Sequence, residues 1–292
     1  MRWQGREQSE NVEDRRGVSP KLAMGGGGLG LLVIIGIAFL IDPQIGQKLL
    51  GEIQNQQAQQ QQQQPRAERQ PGEPDDEGDF IRVVVRDTET VWTKLFDENV
   101  DGGQYRPPQL VMFTGTVQSA CGIASAEVGP FYCPADQKVY IDPSFFRELS
   151  ERHKASGDFA AAYVIAHEVA HHVQKLVGLS DPVDQIRATG NKNELNRASV
   201  RLELQADYLA GVWAHHADKQ YDILEQGDIE EAINAANRIG DDTLMKEATG
   251  YAIPERYTHG TSAQRMKWFK KGFQSGNFDG CQELFDLDYN NL

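Results

Sequence analysis

The sequence predicts an α+β fold dominated by helices, with a small β-sheet and a single N-terminal transmembrane helix preceding the folded domain. Three observations support this prediction: an uncharged apolar run near the N-terminus, a Gln- and Pro-rich stretch after it, and helical periodicity that starts at Phe80. They divide the 292 residues into a tail at 1–21, a transmembrane anchor at 22–42, a tether at 43–79 and a domain at 80–292.

The anchor is predicted because no charged residue occurs from Leu22 to Ile41. A run of this length can cross the hydrocarbon core of a bilayer. A cleaved signal peptide would end in a small-x-small site, which this run lacks, and polar low-complexity flanks argue against a buried core helix. Basic residues are more frequent before the run than after it. The positive-inside rule therefore predicts a cytoplasmic N-terminus and an extracytoplasmic domain.

Composition and charge exclude other classes of protein. Gln54–Asp79 is rich in Gln, Pro and acidic residues, a composition that cannot bury a core and is typical of a flexible tether. The formal charge of −14 disfavours nucleic acid as a partner, because phosphates require a surface rich in Lys and Arg. Three cysteines are too few for a disulfide scaffold. The oligomeric state is left open by these features.

The folded domain is predicted to begin with an amphipathic helix, since apolar residues between Phe80 and Phe96 recur at helical spacing. Two short runs predict strands, and four longer segments predict further helices. The strands are Leu110–Thr116 and Lys138–Ile141, and the helices are Phe159–Leu176, Glu194–Ala217, Asp228–Arg238 and Ser262–Phe273. Asp158 is a candidate N-cap and Gly178 a candidate C-terminal stop for Phe159–Leu176.

A metal-binding pattern lies inside the helix Phe159–Leu176, which is apolar almost all round until His167 and should therefore be buried. His167 and His171 are one turn apart on the same face and can reach one ion, while Glu168 lies about 100° around the helix. This is the H-E-x-x-H arrangement, in which two histidines bind zinc and the glutamate is the base for a metal-bound water. A pair of hydrogen-bonded core histidines is the alternative, which the pattern disfavours.

A catalytic zinc ion takes three protein ligands and leaves one position open. The extended pattern H-E-x-x-H-x-x-G-x-x-H is excluded, because Gln174 and Val177 stand at its later positions. A carboxylate on the next helix is the other route. Glu203, among apolar neighbours, is the leading candidate, with Glu194 as the alternative. Asp207, one turn after Glu203, can accept a hydrogen bond from a ligand imidazole.

Two further histidines can contribute to such a site. His172 points about 100° away from His171 and is predicted to support a ligand or to pack against another helix. His259 lies in a turn before the last predicted helix, where Ser262 can act as N-cap. It is either catalytic or a structural turn histidine, with Tyr251 and Tyr257 as replacements in the catalytic role.

Two cysteines are predicted to form a disulfide. Cys121 and Cys133 flank a Gly-rich loop, and a bridge that closes this loop is favourable in an oxidising compartment. Cys281 is then a free thiol or an alternative partner. Three buried thiols are the other possibility.

Six segments between the N-terminus and residue 265 carry a resemblance to a known family. They are MRWQGR and NVEDRR near the N-terminus, GPFYCPADQKVYID at 129–142, AYVIAHEVAHHVQKLVG at 162–178, RLELQADYLAGVWAHH at 201–216 and HGTSAQR at 259–265. These segments resemble the bacterial neutral zinc metallopeptidases, the YpfJ-like family. The resemblance implies a zincin-type fold with a glutamate as third ligand. It also implies that His259 donates a hydrogen bond to the oxyanion of the tetrahedral intermediate. In the alternative, Arg265 fixes the loop of His259 by binding a carboxylate.

The sequence as a whole therefore predicts a membrane-anchored zinc metalloendopeptidase with one Zn²⁺ per chain, which acts on peptide or protein substrates. Its location is predicted to be the bacterial inner membrane, with the catalytic domain outside the cytoplasm. The strand Lys138–Ile141, if it forms a sheet edge, could align an extended peptide. Two alternatives remain: a membrane-tethered binding or quality-control module with structural zinc, and a zinc hydrolase of a non-peptide cell-wall substrate.

Overall fold

Helices make up most of the described chain, which comprises residues 1–17, 75–152 and 154–292 of this computed structural model. Short strands complete it, so the helix-dominated α+β class is confirmed for these residues. The predicted anchor at 22–42 and most of the predicted tether lie outside the described residues. Within the described part, no helix combines the length and the apolar character that a membrane crossing needs.

The described residues form six strands and eight α-helices. They are β1 Val12–Asp14, α1 Asp76–Asn99, β2 Gln109–Met112, β3 Thr116–Ser119, β4 Gly122–Ser125, β5 Phe131–Cys133, β6 Lys138–Ile141, α2 Ser144–Glu151, α3 Asp158–Leu176, α4 Asp181–Thr189, α5 Lys192–Tyr221, α6 Asp228–Arg238, α7 Asp241–Thr249 and α8 Ser262–Ser275. All the helices predicted for the folded domain are present, with bounds that differ by a few residues. The predicted strand Leu110–Thr116 is shorter, because the chain leaves the sheet after Met112 and Thr116 begins a separate hairpin.

The main sheet has the strand order β1-β2-β6-β5, and β3 and β4 form a separate two-stranded hairpin. β1 and β2 are parallel, as are β2 and β6, whereas β5 is antiparallel to β6 with Tyr132 opposite Val139. The expectation that β6 is an edge strand is wrong, because it has a partner on both sides. Among the described residues, β1 and β5 are the two edge strands of this sheet.

The N-terminal residues belong to the folded domain. Met1–Asp14 and Asp75–Leu292 form one compact unit, and a second unit covers Arg15–Pro74. β1 pairs with β2 from Val12 opposite Leu110 onwards. The predicted separation of a tail at 1–21 from a domain at 80–292 is therefore wrong for residues 1–14, and the unit resumes at Asp75 rather than at Phe80.

Polar contacts show how tightly this segment is held. Arg6 donates two hydrogen bonds, of 2.7 and 2.5 Å, to the buried carboxylate of Asp87. Ser9 and Asn11 both donate to Oε1 of Glu89, at 2.6 and 2.7 Å.

A single membrane crossing between residues 14 and 75 would place β1 and β2 on opposite sides of the bilayer. Their pairing is incompatible with the predicted topology of a cytoplasmic N-terminus and an extracytoplasmic domain.

The core centres on α3, which is buried along nearly its whole length, as its apolar sequence predicts. Asp158 is the first residue of this helix rather than its N-cap, and its Oδ1 lies 2.6 Å from the amine of Met1. Gly178 follows the helix at φ +76°, a left-handed conformation that suits glycine, so the predicted C-terminal stop is confirmed.

The helices α5 and α8 cross closely because glycines occupy the crossing point. A Cβ atom on Gly211 would lie 2.2 Å from the carbonyl oxygen of Phe269, and one on Gly272 would lie 1.9 Å from that of Tyr208. Only residues without a side chain permit this approach. The crossing lies in the second half of α8, and toward the start of α8 Arg265 contacts Asp207 of α5, where the metal centre is supported.

Candidate metal centre

Two helices bring the three predicted ligands together. His167 and His171 project from α3 and Glu203 from α5, with ligand atoms within 4.8 Å of one another. Nε2 of His167 lies 3.1 Å from Oε2 of Glu203, and Nε2 of His171 lies 3.5 Å from Oε1. Tetrahedral zinc with bonds of 2.0–2.1 Å separates neighbouring ligand atoms by about 3.4 Å. The spacing therefore fits a zinc ion held by two imidazoles and one carboxylate.

The far side of each imidazole determines which nitrogen is free to bind metal. Nδ1 of His167 lies 2.9 Å from Oδ1 of Asp207, and Nδ1 of His171 lies 2.8 Å from Oε1 of Gln174. The amide nitrogen of Gln174 donates to the carbonyl of Leu202 at 2.7 Å, which turns its oxygen toward His171. Both Nδ1 atoms thus face acceptors and carry protons. Nε2 of each ring, which faces Glu203, is therefore the nitrogen left to bind a metal.

A buried ion pair supports Asp207. Arg265, at the start of α8, donates from Nε to Oδ2 at 2.8 Å and from Nη2 to Oδ1 at 2.9 Å. The hydroxyl of Tyr163 also donates to Oδ1. Burial alone would raise the pKa of Asp207, but the charges of Arg265 and His167 outweigh it and lower the pKa to about 2. Asp207 therefore stays anionic and continues to accept from His167.

The carboxylates make this pocket attractive to a cation. Burial lowers the pKa of His167, yet the charge of Asp207 and hydrogen bonds that His167 donates to Asp207 and Glu203 raise it to about 10. For Glu203, burial raises the pKa, and the positive charge of His171 with other contacts brings it well below its usual value. A group of atoms that holds a proton this strongly also stabilises a metal cation, which competes for the same sites.

Glu168 lies beside the three ligand residues and is 9% exposed. Burial raises its pKa, against the opposing effects of His167, of His171 and of a hydrogen bond from the backbone of Tyr132. A carboxylate with a raised pKa is a stronger base, which suits proton transfer near neutral pH. The geometry therefore allows Glu168 to serve as the base without acting as a ligand.

The site opens into a cavity of about 540 Å³. Its lining includes Phe131 and Tyr132 of β5 and also His259. The backbone N–H of His259 donates to Oδ2 of Asp241 at 2.7 Å, and its Nδ1 lies 3.1 Å from Oδ1. Its side chain is 52% exposed, and the charge of Glu203 with the hydrogen bond to Asp241 raises its pKa against the opposing effect of partial desolvation.

The alternative candidates for the third ligand and for the catalytic donor are not among the residues that line the cavity. Glu194, the alternative third ligand, is exposed in the first turn of α5 and accepts from Asn191 at 3.1 Å. Glu203 follows it by nine positions, which corresponds to about 13.5 Å of helix. Tyr251 is 61% exposed and Tyr257 is buried, and the residues that line the cavity include neither.

The remaining predicted contacts are found in part. Cys121 is joined to Cys133, the predicted pair, and Cys281 is a buried free thiol. Thr261, rather than Ser262, is the N-cap of α8, with Gln264 completing a capping box.

Sequence reasoning missed three side chains around the centre. Gln174 was used only to exclude a longer motif, although its position three residues after His171 places it on the same helix face. Tyr163 and Tyr132 had no recognisable signal, because aromatic residues on an apolar helix or strand are usual in a core. Their roles depend on contacts between distant segments.

Comparison with known proteins gives a consistent result. A family model described as "Putative neutral zinc metallopeptidase" matches residues 1–284. The chain is 46% identical over 290 residues to "Uncharacterized protein YpfJ" of Escherichia coli strain K12, covering 96% of this chain and 98% of the relative. It is 40% identical over 219 residues to "Uncharacterized protein Rv2575" of Mycobacterium tuberculosis strain H37Rv, covering 71% of each. No solved structure matches it significantly. The chain therefore belongs to the family of putative neutral zinc metallopeptidases and is, at the level of that family, a zinc metallopeptidase.

Proposed function

We propose that this chain is a zinc metalloendopeptidase in which His167, His171 and Glu203 bind one Zn²⁺ and Glu168 is the general base. The observation that carries the proposal is the tetrahedral spacing of two Nε2 atoms and a carboxylate beside a buried glutamate. A structural zinc site normally has four protein ligands and has no use for such a glutamate. When bound, zinc would supply a Lewis acid that acidifies a water molecule and polarises the scissile carbonyl.

The protein residues then carry out the proton transfers. Glu168 takes a proton from the attacking water and later returns it to the leaving amine. His259, held through Nδ1 by Asp241, directs Nε2 toward the oxyanion that develops on the substrate. Asp207 and Gln174 keep the imidazoles of His167 and His171 in the required tautomer.

The edge strand β5 offers a means of aligning a peptide. It pairs with β6 on one side, and Phe131 and Tyr132 line the cavity on the other. An extended peptide that adds a strand along this edge would place its carbonyl groups next to Glu168. This arrangement favours a peptide over a compact non-polymeric substrate.

The proposed activity is tested by incubating the purified full chain with casein and, separately, with muropeptides. We expect cleavage of casein that is abolished by a chelator and restored by added zinc. Mass spectrometry of the products would locate the cleaved bonds. Cleavage of muropeptides alone would indicate a cell-wall hydrolase, and zinc binding without turnover would indicate a binding module; either result contradicts the proposal.

Replacing His259 with alanine is expected to lower kcat by about 10²–10³-fold with little change in KM or zinc content. The reason is that a donor to the oxyanion acts only in the transition state. Steady-state kinetics with a fluorogenic peptide would measure the effect, with thermal unfolding of the same samples as control. A loss of folded enzyme that accounts for the lost activity would assign His259 a structural role instead.

We also propose that Met1–Asp14 and the catalytic unit lie together outside the cytoplasm, with the apolar run at 22–42 holding the chain at the membrane without a net crossing. Support for a shared side comes from the pairing of β1 with β2. Support for the outer side comes from the bridge between Cys121 and Cys133, because disulfides persist in oxidising compartments.

This topology is tested with cysteines introduced at two exposed positions, Gln8→Cys and Glu98→Cys. A membrane-impermeant maleimide applied to intact cells should label both variants equally, and the wild type serves as the background control. Labelling of only one variant would refute the shared side. Labelling of both only after permeabilisation would refute the extracytoplasmic location.

A further inference from the structure

His172 follows the second proposed ligand but faces away from the metal centre. It is 1% exposed and lies against β5 and the loop after α1. Its Nε2 is 2.7 Å from the carbonyl oxygen of Arg106, and its Nδ1 is 3.0 Å from the hydroxyl of Tyr132. The ring also packs edge-on against the ring of Tyr132, with centroids 5.5 Å apart.

The direction of both hydrogen bonds follows from the partners. A carbonyl oxygen can only accept, so Nε2 of His172 carries the ring proton. In a neutral imidazole Nδ1 is then the acceptor, and the hydroxyl of Tyr132 is the donor. The side chain therefore ties β5 to α3 through one bond and α3 to the segment at Arg106 through the other.

Tyr132 links this contact to the proposed chemistry. Its side chain lines the cavity, and its backbone hydrogen-bonds the carboxylate of Glu168. Among the described residues, β5 has only three residues and pairs with β6 alone. A displacement of this strand by about 1 Å would move Tyr132 relative to Glu168 and can cost 10²-fold in rate.

Building on the proposed function, we infer that His172 is a positioning residue: by accepting from the Tyr132 hydroxyl, it holds edge strand β5 in register with Glu168 and the substrate peptide. His172 touches neither metal nor substrate. It acts through Tyr132, whose hydroxyl is engaged by the imidazole and is therefore not the donor to the oxyanion.

Two isosteric substitutions of His172 separate its two bonds. In His172→Asn the amide oxygen takes the place of Nδ1, which keeps the acceptor for Tyr132 and removes the donor to Arg106. In His172→Gln the amide nitrogen takes the place of Nε2, which keeps the donor to Arg106 and removes the acceptor. Tyr132→Phe removes the hydroxyl and leaves the backbone of β5 intact.

The experiment measures kcat/KM, zinc content and amide hydrogen exchange at residues 131–133 in the full chain. We expect Tyr132→Phe and His172→Gln each to lower kcat/KM by about 10- to 100-fold, with zinc unchanged. The double variant Tyr132→Phe/His172→Gln should have a kcat/KM no lower than that of either single variant, because both substitutions remove the same hydrogen bond. His172→Asn should stay within about threefold of wild type, and exchange at β5 should accelerate only where activity falls.

Additive losses, or equal damage from His172→Asn and His172→Gln, would overturn the inference, since both results indicate general packing. Wild-type activity in Tyr132→Phe would overturn it as well. If the wild type cleaves no peptide, the proposed peptidase function is wrong, but the positioning role of His172 can still be tested by hydrogen exchange. Faster exchange at β5 in Tyr132→Phe and His172→Gln but not in His172→Asn would still support the positioning role, and equal exchange would end it.

Discussion

Substitution of Glu168 by glutamine is expected to lower kcat by about 10²–10⁴-fold while zinc stays at about one ion per chain. The glutamine side chain has the same shape and can still accept from the backbone of Tyr132, but it cannot take up a proton. Because Glu168 lies beside the ligands rather than among them, the metal should be retained. Steady-state peptide cleavage assays would measure kcat, and elemental analysis of the same preparation would measure the zinc content.

The matched control is Glu148→Gln. Glu148 lines the same cavity from α2, but its side chain is 39% exposed and is ion-paired with Arg152. Exposed ion pairs contribute about 0–1 kcal/mol, so activity close to that of the wild type is expected. Retained activity in Glu168→Gln would exclude Glu168 as the base, whatever the control shows.

Substitution of Glu203 by alanine is expected to remove zinc, because two imidazoles alone leave half of the tetrahedron to solvent. Zinc at about 100 times its Kd stabilises a protein by about 2.7 kcal/mol. For a unit of this size that corresponds to roughly 5–10 °C in Tm. A chelator should therefore lower the Tm of the wild type and leave that of Glu203→Ala unchanged. His167→Ala and His171→Ala should behave in the same way.

Two further variants calibrate this result. Asp207→Asn should weaken zinc affinity by about 10–100-fold without abolishing it, since Asp207 orients His167 and does not touch the metal. Glu194→Ala, on the exposed first turn of the same helix, should bind zinc as the wild type does. Loss of zinc in Glu194→Ala with retention in Glu203→Ala would show that the ligand set is wrong.

Several parts of the site were predictable because they depend on local order. His167 and His171 are four residues apart, and helix geometry alone places them on one face. The apolar sequence of α3 predicted its burial, and the apolar neighbours of Glu203 indicated which carboxylate on α5 faces inward. The same local reasoning predicted the C-terminal stop at Gly178.

Short strands were harder to predict. β1 and β5 have three residues each, too few for a period-two pattern to be recognised. β6 was identified as a strand, but its place inside the sheet depends on neighbours that a sequence pattern does not specify. Strand partners are selected by side-chain packing across the sheet rather than by the strand itself.

The sequence alone therefore determined the helix-dominated α+β class, the helices of the folded domain, and a candidate zinc site on His167 and His171 with Glu203 as the leading third ligand, because helical periodicity and ligand spacing are local properties. Only the tertiary structure decided that residues 1–14 belong to the unit that carries this candidate site, that Gln174 orients His171, and that β5 is an edge strand beside Glu168. Each of these depends on contacts between segments that are close in space but far apart in the sequence, and a local pattern does not specify such contacts.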